Sequence, residues 1–242
     1  LASIDLFIVS GDVTDHGRVS ELEAFWSMIG DLRERLTVVP GNHDRLGDDL
    51  RERLMPGPRV QISGSPGLHV VKIDSTGAHN RSWLNSQGKL LPEDIDDVES
   101  ALAAAPAGAL RVVTLRHHPL PLPEDHFAER ISSHFKLPFA DALELGWELV
   151  QTLNGKCELI LHGHRHAATA HSVETSSASP TWMFNAGSRT ELRGARVFTH
   201  RAGHCFGAPS WLGSLDSLDP SRETFSDAMK STLELMRSFS WI

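Results

Sequence analysis

Four short clusters in this 242-residue chain carry side chains that could act together on a charged substrate. They are Gly11-Asp12-Val13-Thr14-Asp15, Gly41-Asn42-His43-Asp44, Arg116-His117-His118-Pro119 and Gly163-His164-Arg165-His166. Taken singly, each has an ordinary reading. Gly-Asp suits a turn closed by an Asx hydrogen bond, Gly-Asn-His-Asp a polar turn, and His-His-Pro a strand end meeting solvent. Gly-His-Arg-His is different, because an extended backbone points two imidazoles two residues apart the same way. Jointly, the four clusters offer carboxylate, amide oxygen and imidazole with no Cys or Lys among them. That donor set suits borderline divalent metals such as manganese, iron or zinc.

Such a donor set is consistent with two-metal chemistry on a phosphate. A carboxylate can bridge two divalent ions, and two ions about 4 Å apart can clamp a phosphate and activate a bridging water as hydroxide. His43 lies next to Asn42 and is poorly placed to bind the same ion. It is better suited to protonate the leaving oxygen, with Asp15 or Asp44 orienting its ring.

Each cluster follows an apolar run of strand character: Ile4–Ser10, Leu36–Val39, Leu110–Leu115 and Glu158–Leu161. Thr181–Phe184 is a fifth such run and His69–Asp74 a sixth. Short continuous runs of this kind suit strands buried on both faces. In an open α/β sheet, ligands collect where strands release the chain. Helices are expected between the strands: one from a Ser20/Glu23 capping box, one opened by Pro92, and one over Phe139–Leu153. A fourth is expected from Ser221, near 221–237, with Phe225, Met229, Leu233 and Met236 on one face. Alternating helices and strands indicate an α/β class. No linker composition or repeat divides the chain, so 1–242 reads as one domain, with a core over about 4–198 and an extension over 199–242. Residues 75–91 and 118–137 are long for loops, and 199–220 show no periodicity.

In this order, GD-x-x-D, GNHD, HHP and GHxH resemble the calcineurin-like metallophosphoesterase superfamily over about residues 4–190. The resemblance implies a four-layer α/β/β/α sandwich of two mixed sheets flanked by helices, and a site with two divalent metals. By it, Asp12 bridges both metals, Asn42, His117 and His164 complete the second, and His166 binds the first. His43 is the acid, and Asp15, Asp44 and Arg165 are supporting or substrate-contacting groups. Asn185-Ala-Gly-Ser188, Ile73-Asp74-Ser75 and the helix after Gly88-Lys-Leu-Leu resemble the small bacterial branch that contains cyclic-nucleotide phosphodiesterases. The family also opens with D-x-H on a first strand, and none precedes Asp12. Since the sequence begins at Leu1 rather than Met, the expectation is that an upstream segment, with its strand, carried that motif.

Composition bounds the substrate. A formal charge of −8 gives no support for a nonspecific nucleic-acid binder. No apolar run reaches the roughly 18 residues of a membrane helix, and no export signal opens the sequence. Cys157 and Cys205 sit in no metal-type spacing, as in a reducing cytoplasm. Fourteen His and no Tyr make histidine the compositional outlier. His79 and Asn80 are candidate cleft residues, and Trp182, Trp211 and Trp241 packing or interface residues, a homodimer included. The expectation is a cytoplasmic hydrolase of a small-molecule phosphodiester or phosphomonoester, a nucleotide or cyclic nucleotide first and a lipid-linked diphosphate second. The rival is a catalytically impaired fragment or binding module that keeps the fold.

Overall fold

A computed structural model describes residues 4–120, 143–165, 168–173, 180–187, 194–205 and 207–213. The expected helix near 221–237 lies outside them. The backbone of the fold is a six-stranded sheet. Its strands are β3 (Val60–Ser65), β4 (Leu68–Ile73), β5 (Leu110–Thr114), β6 (Leu159–His162), β7 (Ala170–Val173) and β8 (Thr181–Asn185), in the order β3-β4-β5-β6-β8-β7. β4, β5, β6 and β8 run parallel, with antiparallel β3 and β7 at the edges. The central strands are the β-branched runs of the sequence, and successive side chains divide between two cores. Val71, Val113, Ile160 and Met183 face one side and Val70, Val112, Leu159 and Phe184 the other.

On the first side lie α3 (Pro92–Ala103) and α4 (Gly146–Leu153), contributing Val98, Leu102, Leu149 and Leu153. On the second side Leu6 and Ile8 bring up β1 (Phe7–Val9), which pairs in parallel with β2 (Leu36–Val38). The outer face of that pair, Val9 and Val38, is covered by Leu22, Phe25 and Trp26 of α1 (Val19–Ile29) and by Leu54 of α2 (Arg51–Leu54). The layers therefore run α/β/β/α, as expected.

Two local expectations are corrected, and one unassigned stretch proves to be structured. α1 begins at Val19, so Ser20 is not its cap. The Glu21 carboxylate instead accepts from the Arg18 N–H at 3.0 Å, and Asp48 accepts from Val19 N–H at 2.9 Å. Both side chains satisfy first-turn donors before Ser20 is reached. The helix expected over Phe139–Leu153 is helical from Gly146. Before it, Glu144 bridges to Lys89, and a Cβ on Gly146 would stand 2.1 Å from the Pro119 carbonyl oxygen. That close packing fixes where the helix can start; residues 139–142 lie outside the described set. The unassigned stretch after 199 forms a hairpin of β10 (His200–Arg201) with β11 (His204–Cys205). It also forms β12 (Ser210–Gly213), which pairs with β9 (Gly194–Val197). Arg196 there lies 4.7 Å from the Trp211 ring centre, a cation–π contact with no sequence periodicity to announce it. Among the described residues no helix is long and apolar enough to cross a membrane.

Ile160 is fully buried in the strand that delivers the His162–Arg165 turn. Replacement by Ala should lower the unfolding free energy by about 2–5 kcal/mol, measured by urea denaturation.

Candidate metal centre at the strand ends

β1, β2, β5 and β6 release the four clusters at one end of the two sheets. After β1 the chain turns at Gly11 and Asp12, both with positive φ, +92° and +51°. After β6, His164 takes φ +72°. For a residue with a Cβ this conformation costs about 1–3 kcal/mol, and such strain tends to collect where a site demands it. Close packing explains part of it. A Cβ on Gly41 would fall 2.0 Å from Asp12 Oδ1, so the two turns fit only with glycine there.

The carboxylate of Asp12 is held on both sides. Its Oδ1 accepts the His43 backbone N–H at 3.1 Å, and its Oδ2 accepts from Arg116 Nη2 in an ion pair. Arg116 Nε also donates to Asn42 Oδ1 at 3.5 Å, and His164 Nδ1 lies 3.2 Å from the same oxygen. The His164 ring packs 4.9 Å from that of His117 and nearly parallel to that of His118 at 5.8 Å. Asp12, Asn42, His117 and His164 are thus brought together. His166 lies outside the described residues.

The neighbouring histidines differ in what their ring nitrogens do. The Ser75 hydroxyl accepts from the His117 backbone N–H at 3.2 Å and donates to its Nδ1 at 2.8 Å. His117 Nε2–H donates to the Ser86 carbonyl at 2.9 Å. Both its nitrogens are engaged, so taking up a cation requires one bond to be released. His118 Nδ1 is buried with no hydrogen-bond partner. Burial, and after it Arg165 and Arg116, hold His118 down to about 3. Burial also holds His117 and His164 well below the usual imidazole range, aided first by Arg116 at His117 and by His117 at His164. These rings are neutral at physiological pH, the form that ligates metals. His162, which the sequence reading passed over, is fully buried before Gly163 and is likewise held down to about 3 by burial.

His43 stands at the rim, with its side chain 31% exposed. Its Nδ1–H donates to the Asp15 carbonyl at 2.9 Å, and the Asp15 carboxylate is 3.4 Å from the same nitrogen. Asp15 is therefore the residue that orients the ring. Trp83 meets the ring edge-to-face at 5.1 Å. Asp44 has another task. Its Oδ1 accepts the Thr14 N–H at 2.9 Å and hydroxyl at 2.7 Å, and its Oδ2 the Gly41 N–H at 2.9 Å. It ties the first cluster to the second. Arg165 stays next to His164, its N–H on the Gly163 carbonyl at 2.9 Å. His79 and Asn80 bond the carbonyl of Gln87 and so brace the 75–91 loop. Arg116 and Ser75 contact the candidate residues although neither was itself a candidate. Arg116 was visible one residue before the His pair, but nothing in its type revealed a pairing with Asp12.

The donors around Asn42 and His164 fit one divalent cation by their chemistry: amide oxygen, neutral imidazole, and the unpartnered His118 nitrogen beside them. At Asp12 the fit is poorer, because the Arg116 guanidinium is ion-paired with one carboxylate oxygen and sets a fixed positive charge where a second ion would have to approach. Among the described residues no group of three or more His, Cys, Asp or Glu is gathered as for a metal ion, so an ion at Asn42 and His164 would rest on the amide oxygen as well.

Burial, with the Asp12 charge nearby, raises the Asp44 carboxyl from 3.8 to about 6, against the pull of its three hydrogen bonds. The native state then binds this proton more tightly than the unfolded one, so this group's contribution to stability falls as pH rises from about 4 through 6. In Asp44→Asn that pH dependence should vanish. Asp44→Ala, which leaves three buried donors unpaired, should destabilise by about 2–4 kcal/mol at pH 7, read from unfolding curves across that range.

The purple acid phosphatase PPD1 of yellow lupin superposes with a TM-score of 0.55 at 12% identity, over 91% of this chain and 40% of that one. The chain thus spans about two fifths of the lupin protein. The phosphopantetheinyl hydrolase of Mycobacterium tuberculosis gives a TM-score of 0.37 at 13% identity, over 77% of this chain and 80% of that one. No curated protein matches the chain. Residues 2–168, well over half of the sequence, match the calcineurin-like phosphoesterase family, and the chain belongs to that family.

Proposed function

We propose that this chain is a metal-dependent phosphoester hydrolase acting on a small-molecule phosphodiester or phosphomonoester, with a nucleotide or cyclic nucleotide as the favoured substrate. The observation that carries the reading is the meeting of Asp12, Asn42 and His164 in one hydrogen-bonded group joined through Arg116, with the His43 backbone N–H bonded to Asp12 at its edge. The family generally uses a dinuclear metal centre. Here Asn42, His117 and His164 are the proposed ligands, with His166 from the same motif. His118 is the alternative to His117, because its Nδ1 needs no bond released. Manganese, iron or zinc, when bound, supplies Lewis acidity toward phosphate oxygens and water.

His43 acts from the rim as the general acid. With Nδ1–H committed to Asp15, Nε2 is the nitrogen that can carry a proton to the leaving oxygen. Burial keeps His117 neutral, Ser75 and Ser86 fix its ring, and Asp44 keeps the first two clusters in register. Cys157 is a buried free thiol pushed up to about 12 by its burial. It stays inert, in keeping with a cytoplasmic site of action.

A panel of phosphodiesters and phosphomonoesters tests this reading, run with the chain and added Mn²⁺. Turnover should depend on metal, be abolished by chelation, and be lost in Asn42→Ala. No hydrolysis anywhere in the panel, with Mn²⁺ bound, would leave a non-catalytic binding module. His43→Ala should slow esters with alkoxide leaving groups by about 10²–10⁴-fold. It should slow p-nitrophenyl esters far less, because p-nitrophenolate leaves without a proton. An equal loss on both would remove His43 from the acid's role. Of His117→Ala and His118→Ala, the one that weakens Mn²⁺ binding more identifies the third ligand.

A further inference from the structure

We propose that the guanidinium of Arg116 is the resident cation of the Asp12 carboxylate, so that the chain binds one divalent ion fewer than a dinuclear site. The inference rests on the metal-dependent reading above and sharpens it. In that reading's pattern, Asp12 is the group two metals would share. In the structure its Oδ2 is ion-paired with Arg116 Nη2 and its Oδ1 holds the His43 N–H. A guanidinium is protonated at every working pH and has no lone pair to offer a metal. Seated on Asp12, it occupies one carboxylate oxygen and repels a second cation.

The seat is built for this side chain. Arg116 is 9% exposed. A Cβ on Gly11 would stand 2.7 Å from Arg116 Cδ, and one on Gly163 2.7 Å from Nη1. Two of the motif glycines therefore clear the path that the side chain follows from β5 to Asp12. Its backbone is pinned as well, the carbonyl accepting the Gly163 N–H at 3.1 Å. Arg116 Nε reaches Asn42 Oδ1 at 3.5 Å, so the fixed charge adjoins the oxygen that would face the remaining metal. A phosphate held there would meet one exchangeable cation and one permanent one.

The test is Mn²⁺ stoichiometry on the 242-residue chain, by equilibrium dialysis with metal analysis and by electron paramagnetic resonance. Wild type should take up one Mn²⁺ and show an uncoupled, mononuclear spectrum. Arg116→Gln should take up one more per chain, and Asp12→Asn in that background should remove the gain. Arg116→Lys, which keeps the charge, should stay at the wild-type number and shows whether this position tolerates change without unfolding. The same count in wild type and Arg116→Gln overturns the proposal, as does a spin-coupled pair in wild type. Those outcomes leave the hydrolase reading standing, whereas no Mn²⁺ bound by wild type removes the metal-dependent reading itself.

Discussion

Everything at the site depends on how closely four strand ends can approach the Asp12 carboxylate. The turn after β1 places Asp12 against the Gly41 backbone, where no side chain could fit. The His43 N–H and the Arg116 guanidinium then close on its two oxygens. Asp44, fully buried, ties Thr14 to Gly41 and so prevents the first two turns from drifting apart. The Asp12 side chain is only 17% exposed, and a carboxylate so largely withdrawn from water favours a cationic partner. The enclosure is therefore a demand for a cation, and in this chain a side chain meets it.

The sheets supply the rigidity that such an arrangement needs. β5 and β6 are central, parallel and packed on both faces, so the His117 and His164 turns leave from fixed points. The less ordinary geometry is confined to the turns themselves, in the positive φ of Asp12 and His164. Strain is tolerable there because hydrogen bonds and close packing over-determine both residues. At the rim, the His43 ring rests on Asp15 and on the edge of Trp83. That contrast suits a division of labour between a buried binding centre and an accessible proton donor.

Much of this was legible in the sequence because strand ends leave a local signature. The apolar runs, the glycines after them and the polar clusters that follow share one stretch of chain, and all six runs became strands, within a residue of their expected limits except at the start of β1. Long-range pairings were not legible. Nothing near Arg116 says that its side chain will cross to Asp12, and nothing near Ser75 says that it will hold His117. The strand Val60–Ser65 and the β9–β12 pair were missed because their alternation is diluted by Ser, Gly and Arg. The capping box at Ser20 misled because Glu21 and Asp48, one adjacent and one distant, satisfied the same donors first.

Anomalous diffraction at the manganese edge, from crystals soaked in Mn²⁺, addresses the central claim most directly. A single peak beside Asn42 and His164, with Arg116 still on Asp12, is the predicted result. Two peaks sharing Asp12, with the guanidinium displaced, would contradict it.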